Sequence, residues 1–235
     1  MSFRQRIHFL LVHTLGLSNQ EAKKIISSGE LNLNGKVIFD NIVLGTYDKV
    51  IYKGEVIHPT QQFVYYAYNK PIGIECSMRK DVEGTLGNVL PAALQDLGYC
   101  GRLDKASEGL MLFTNDGHTI RRLTQPGKSI WKRYEVVLEK PVDEALLKLF
   151  ENGTLVAGKM SLPARVKKLG SHQLAIFLQE GKNKQIRRMC YTGGNYVCSL
   201  KRTDIGPIQL GQLKPLESRI LTQEEMLFIR NLGSI

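Results

Sequence analysis

Four of the 235 residues are cysteines, Cys76, Cys100, Cys190 and Cys198. No two form a CxxC, and no histidine pair stands at metal-ligand spacing, so neither a zinc site nor a dithiol redox motif is supported; the expectation is small buried thiols. Long apolar runs are missing too, falling far short of the roughly 20 residues that cross a bilayer. The opening MSFRQRIHFLLVH lacks a signal-peptide cleavage pattern, and the expected compartment is the cytoplasm, with no membrane contact. Coiled-coil heptads are absent, which favours a monomer, and there is neither an internal repeat nor a low-complexity stretch. Acid is scarce beside base: 22 Asp and Glu against 32 Lys and Arg, a formal charge of +10. A chain of this length buries roughly 70% of its surface without staples, as one large or two modest domains.

The excess of base is uneven. Residues 1–60 carry net +2, residues 61–117 net −2, and residues 118–235 hold 20 basic against 10 acidic side chains. Positions 165–202 concentrate nine cations (Arg165, Lys167, Lys168, Lys182, Lys184, Arg187, Arg188, Lys201, Arg202) against Glu180. Such a stretch repels itself unless an anion lies on it, and a nucleic-acid backbone suits it, because each neutralised phosphate releases counterions.

Ile7, Leu10, Leu11 and Leu15 repeat at helical spacing before Gly16, and Ser18 with Glu21 forms a capping box for a second helix that stops at Gly29. LNLNGKVI then alternates around Asn34-Gly35, a strong hairpin signal, and DKVIYKG gives a further strand. This predicts a self-contained α-α-β module over 1–60, with a polar linker at 60–62. From residue 63 to 235, strand-like runs (FVYYAYNKP, GLMLFTN, YEVVLEK, LPARVKKL, HQLAIFLQ) alternate with helical ones. TLGNVLPAALQDLG reads as a helix kinked at Pro91, EALLKLFENG as one capped by Asp143, and Thr222 with Glu225 as another capping box. Without a βαβ rhythm, the class is α+β with a mostly antiparallel sheet.

Two polar clusters carry the chemistry. In Gly101-Arg102-Leu103-Asp104-Lys105 a carboxylate stands between two cations, which favours its ionised form and makes it available as nucleophile or base; an Asp that merely pins a loop is the competing reading. In Gly181-Lys182-Asn183-Lys184-Gln185-Ile186-Arg187-Arg188-Met189 a glycine turn enters a helix that offers backbone N–H groups and guanidinium forks to anions. The Walker spacing is absent, so this is no phosphate-binding loop of that kind. Glycosidase and nuclease chemistry usually wants paired carboxylates or a metal cluster, and neither stands out.

Together these clusters resemble the pseudouridine synthases, specifically the branch that acts on bacterial ribosomal RNA at a single site. GRLDKASEGLMLFTNDG (101–117) is similar to the family's catalytic-aspartate motif, YAYNKPIGI (66–74) to its opening strand, KRYEV (132–136) to its tyrosine motif and EGKNKQIRRMC (180–190) to its arginine motif. The first segment resembles the S4-type RNA-binding module that often precedes this domain. The resemblance implies Asp104 as catalytic aspartate, Arg187 as the arginine holding its carboxylate, Tyr134 as the aromatic stacking on the target base, Ile186 as apolar wall and Arg102 as a phosphate or base-extrusion contact. Arg6, Lys132, Arg133, Lys182, Lys184 and Arg188 are the implied RNA contacts. Uridine isomerisation breaks the bond from N1 to the ribose, turns the uracil and joins C5 to the same carbon, so no cofactor and no metal is implied. Whether Asp104 attacks covalently or takes a ribose proton stays open.

The implied partner is ribosomal RNA or a ribosomal particle; the arginine motif favours 23S RNA, with 16S RNA or tRNA as alternatives. A non-catalytic RNA-binding or ribosome-assembly protein is the competing class. The S4-like helix departs from its pattern, reading Ser18-Asn19-Gln20-Glu21-Ala22 where Ser-Arg-Arg-Glu-Ala is usual, and Phe9 stands where lysine is common. The missing phosphate contacts agree with the module's small charge and predict that the 165–202 stretch supplies most of the affinity. Ala106 replaces a more usual polar residue after Asp104-Lys105, a tolerable change.

Overall fold

The computed structural model describes residues 6–45, 48–58, 63–125 and 130–232. The linker expected at 60–62 lies outside them. Chain packing divides the protein into two compact units, residues 1–63 and 64–235.

In the first unit, α1 (Ile7–Leu15) and α2 (Asn19–Ser28) precede four short strands, β1 (Leu31–Leu33), β2 (Lys36–Ile38), β3 (Val50–Tyr52) and β4 (Glu55–His58), in the order β2-β1-β3-β4. The Ser18–Glu21 capping box forms in both directions, and Gly16 and Gly29 end the helices in left-handed conformation. Asn34 and Gly35 both take positive φ, 53° and 87°, so the hairpin turn matches the twist of the strands it joins. Ile7, Leu11, Ala22, Ile26, Leu31 and Val50 make a small core of this unit's own.

The second unit is built on one mixed sheet. Its elements are β5 (Tyr65–Lys70), α3 (Leu86–Val89), β6 (Gly98–Tyr99), β7 (Glu108–Thr114), α4 (Gly117–Thr124), β8 (Lys132–Leu138), α5 (Glu144–Asn152), β9 (Leu155–Val156), β10 (Lys159–Met160), β11 (Arg165–Gly170), β12 (Gln173–Leu178), α6 (Gln185–Thr192), β13 (Val197–Ile205), β14 (Ile208–Gln209), β15 (Ser218–Ile220) and α7 (Gln223–Asn231). The sheet runs β11-β12-β8-β13-β7-β5-β15, and β9 and β10 form a separate hairpin. Neighbours along the sheet are antiparallel except β13 and β7, which run parallel with Lys201 opposite Glu108 and Arg202 opposite Gly109.

β7 is apolar on both faces because both are covered. Met111 and Phe113 join the core that includes Tyr134, Val136, Leu146 and Met189, whereas Leu110 and Leu112 join Ala67, Ile205, Leu221 and Ile229 on the other side. This explains a continuous rather than alternating run. At Gly109, with φ +110°, a Cβ would stand 2.2 Å from the Arg202 carbonyl oxygen, so the parallel pairing needs glycine there. Asp143 caps α5 by accepting the Leu146 N–H at 2.8 Å, and Thr222 and Glu225 complete the last capping box.

The sequence expectation fails around Pro91. There is no kinked helix: α3 is a single turn ending at Val89, and Ala92–Leu94 form a separate 3₁₀ turn. Proline disfavours helical backbone in the residue before it, and Leu90 accordingly sits at φ −66°, ψ 136°. Cys76, Cys100 and Cys190 are buried as expected, but Cys198 is exposed on β13. Among the described residues no helix is long and apolar enough to cross a membrane.

Candidate active site

A cleft of about 550 Å³ lies in the second unit, where the loop before β7 meets β8 and the loop entering α6. Asp104 and Arg102 line it from the first, Tyr134 from the second, and Lys182, Lys184 and Ile186 from the third. Alternation along β8 turns Tyr134 inward with Val136 and Leu138, so its body is packed and 8% of it remains exposed. Ile186, 4% exposed on the first turn of α6, adds an apolar wall beside Leu178 and Leu200. The arrangement brings a half-buried aspartate and an aromatic residue into one cleft with apolar walls and several cations.

The loop that carries Asp104 is held by its backbone. Ser107 N–H donates to the Asp104 carbonyl at 2.9 Å, closing a tight turn, and Gly73 N–H donates to the Lys105 carbonyl at 2.8 Å. Behind it, Leu103 N–H donates to Cys76 Sγ at 3.4 Å.

Arg187 is placed differently from what the resemblance implies. Its Nη2 donates to the Ala106 carbonyl at 2.7 Å and to Ser107 Oγ at 3.4 Å, and its Nη1 to the Val197 carbonyl at 3.1 Å. No ion pair with Asp104 is formed among the described residues. The guanidinium therefore holds the turn two residues beyond the carboxylate.

Other expected contacts separate as well. Arg133 points to the opposite face of β8 from Tyr134, where it pairs with Glu135 at 2.8 Å and Asp204 at 3.4 Å beside a second groove. Strand alternation puts it there, so it does not serve this cleft. Lys132 is half-buried at the start of β8 and does not line the cleft; burial, helped by Arg202, pushes its pKa down. Arg188 is exposed on α6, donating to Asn183 Oδ1 at 3.3 Å. Arg6 belongs to the first unit, where Nη1 donates to the Asn41 carbonyl. Arg202, counted among the surface cations from sequence, is buried, with Nε donating to the Leu110 carbonyl at 2.7 Å.

Sequence reasoning passed over four residues. Glu75 puts a second carboxylate on the cleft wall. Gln185 and Glu180 brace the loop between them: Gln185 Nε2 donates to Glu180 Oε1 at 2.7 Å, and Lys182 N–H donates to Gln185 Oε1 at 3.0 Å. Lys70 is fully buried at the end of β5, its Nζ donating to the carbonyls of Pro71 and Ile74 at 2.8 and 2.7 Å. Burial pushes its pKa below the ordinary lysine value, while the negative charges of Asp104 and Glu108 pull the other way. A lysine closing an otherwise buried strand was the readable signal for it.

The model of the RNA pseudouridylate synthase family matches residues 64–192, the stretch that contains every lining residue of the cleft named above except Leu200. The dual-specificity RNA pseudouridine synthase RluF of Escherichia coli (strain K12) is 33% identical over 216 residues, covering 89% of this chain and 73% of its own. The ribosomal small subunit pseudouridine synthase A of Vibrio cholerae is 32% identical over 231 residues, covering 95% and 99%. A crystal structure of a pseudouridylate synthase superposes with a TM-score of 0.67 at 30% identity, covering 97% of this chain and 99% of that one. The chain belongs to the RNA pseudouridylate synthase family. It is accordingly an isomerase, one that turns uridine into pseudouridine in RNA.

Proposed function

We propose that this protein isomerises one uridine of ribosomal RNA, with Asp104 as the catalytic carboxylate. The observation that carries this is the placement of Asp104 in a cleft of about 550 Å³ that Tyr134 and Ile186 also line, a chamber with room for a flipped base. Taking a base out of its stack costs a few kcal/mol, and an aromatic face offsets part of that. Tyr134 supplies the face and Ile186 an apolar wall. Asp104 then either bonds to the ribose carbon released by N1 or removes a ribose proton. In both routes the carboxylate is returned when C5 joins the same carbon; the C5–H bond then breaks, its proton passes to solvent and N1 takes one up, so the isomerisation balances in electrons and in atoms.

Arg187 acts as a positioning residue through the Ala106 carbonyl, and Lys182, Lys184 and Arg102 meet phosphates at the rim. Residues 1–60 are read as an S4-like RNA-binding module and 63–235 as the catalytic domain of a cytoplasmic monomer. Ribosomal RNA as substrate draws support from the small-subunit synthase, which this chain matches almost end to end. The arginine motif at 180–190 favours the large-subunit RNA, whereas that same end-to-end match favours the 16S RNA.

The test is tritium release from 23S and 16S transcripts labelled at uridine C5, each with wild type and Asp104→Asn. Release by the wild type, reduced at least about 10³-fold in the variant while RNA binding is kept, is the expected result. Equal release by both proteins would remove Asp104 from the chemistry, and release from neither transcript nor from ribosomal particles would remove ribosomal RNA as the substrate.

A further inference from the structure

Helix α6 has two unlike faces. Gln185, Ile186, Met189 and Cys190 are buried, and the first two line the cleft. Lys184, Arg188 and Tyr191 follow at i, i+4 and i+7, one outward stripe, and all three are exposed. Tyr191 leaves 67% of its surface in solvent. The Gly193-Gly194 turn then brings Tyr196, 54% exposed, back against it, with ring centroids 5.8 Å apart and planes at 65°.

This turn is anchored. Buried Asn195 accepts the Lys140 and Tyr196 N–H groups at Oδ1, at 3.0 and 2.8 Å, and donates from Nδ2 to the Lys140 carbonyl at 3.1 Å. Lys140 Nζ donates to the Gly194 carbonyl at 2.8 Å, so a further cation stands beside the two rings. Glu139, whose N–H bonds the Tyr196 carbonyl, is the acidic neighbour on this segment. An exposed tyrosine alone is ordinary, but two in contact on a pinned turn, flanked by cations, present a preformed aromatic surface. Seven residues at the helical rise place Tyr191 about 10 Å from Lys184, which lines the cleft. That distance spans about three stacked nucleotides.

We propose that Tyr191 and Tyr196 form a stacking platform for unpaired bases of the RNA strand that flanks the target uridine, with Lys184 and Arg188 meeting its phosphates on the way from the cleft. This rests on the proposed RNA substrate and extends it: the enzyme grips a single-stranded neighbour of the modified nucleotide as well as the nucleotide itself. Charge complementarity selects the occupant, since phosphates suit the cationic stripe and bases suit the aromatic faces.

The test uses the full-length protein and a fluorescein-labelled 15-residue oligo(U), with affinity read by anisotropy as a function of salt. Tyr191→Ala combined with Tyr196→Ala should weaken binding about tenfold or more with an unchanged salt slope, and the matching pair of Phe substitutions should bind like wild type. Arg188→Ala should instead reduce the salt slope by about 0.7. Thermal melting of each variant checks that the fold is kept. Equal affinity of the Ala pair and wild type, an equal loss in the Phe and Ala pairs, or failure of wild type to bind oligo(U) would each overturn the platform. Tritium release by wild type from 23S and 16S transcripts reads the substrate separately. Binding through the tyrosines without release from either would leave the platform standing and remove the ribosomal substrate.

Discussion

Replacing Gly109 with alanine probes the joint between fold and site. The new Cβ would lie 2.2 Å from the Arg202 oxygen, 2.7 Å from its nitrogen and 3.0 Å from its carbonyl carbon, all of them backbone atoms that no rotamer change can move. Ordinary contact needs roughly 3.5 Å, so β7 and β13 must part by about 1 Å. Overpacking of this kind costs about 1–3 kcal/mol, and a side chain held at positive φ adds about 1–3 more. At about 2–4 °C per kcal/mol for a unit of this size, the melting temperature should fall by roughly 4–24 °C. Because β7 begins directly after the Asp104 turn, a shift of about 1 Å should also lower kcat by about 10²-fold. Gly117→Ala is the control: nothing lies within 4 Å of its Cβ, and the change should be neutral or stabilising by up to about 1 kcal/mol. Calorimetry and single-turnover kinetics read both effects. A Gly109→Ala protein that melts within 2 °C of wild type and turns over at its rate would refute the reasoning.

Arg187→Lys keeps the charge but loses the fork that reaches Ala106 and Val197, so kcat should drop about 10- to 100-fold with KM within about threefold; a rise in KM at constant kcat would mean that Arg187 binds RNA instead. Burial works to raise the pKa of Asp116, but bonds from the Thr119 side chain and N–H, the Tyr65 hydroxyl and the His118 N–H outweigh it and hold the carboxyl below its usual value. A lowered folded pKa contributes stability above the unfolded value of about 4, and that contribution is lost as pH falls through the folded value. Asp116→Asn should therefore cost about 1–2 kcal/mol at pH 7, and its gap from wild type should close in acid; a gap that persists unchanged at low pH contradicts the assignment. Deleting residues 1–60 should weaken rRNA binding less than about threefold and leave the salt slope within about one unit, whereas a large drop in both would make the first unit the main RNA anchor.

How much of this was legible in the sequence depended on the range of the interaction. Capping boxes at Ser18 and Thr222 and the Asn34-Gly35 hairpin are decided within four residues, and they stand where the pattern put them. The cleft was legible because its walls are contiguous motifs: Arg102 and Asp104 come from one, Ile186 and its lysines from another. What Arg187 touches was not, since its partners Ala106 and Ser107 stand some 80 residues away and compete with Asp104 on geometry that spacing does not encode. Counting cations likewise overstated the surface charge, because Arg202 is buried with its Nε on a backbone carbonyl and Arg133 pairs with two carboxylates. Lys70 escaped notice because a lysine is read as surface by default, while here two carbonyls just beyond it in the chain accept hydrogen bonds from its Nζ.

The parallel pairing of β7 with β13 also sets an order in time. Leu110 and Arg202 meet across 92 residues of chain, and Arg187 must be present before the turn after Asp104 is secured. Contacts of such long separation close late, after loop entropy has been overcome. On a translating ribosome the carboxylate would thus emerge long before its surroundings. The half-made chain, bathed in the very class of RNA it is proposed to modify, should have no working site until nearly all of it has been synthesised.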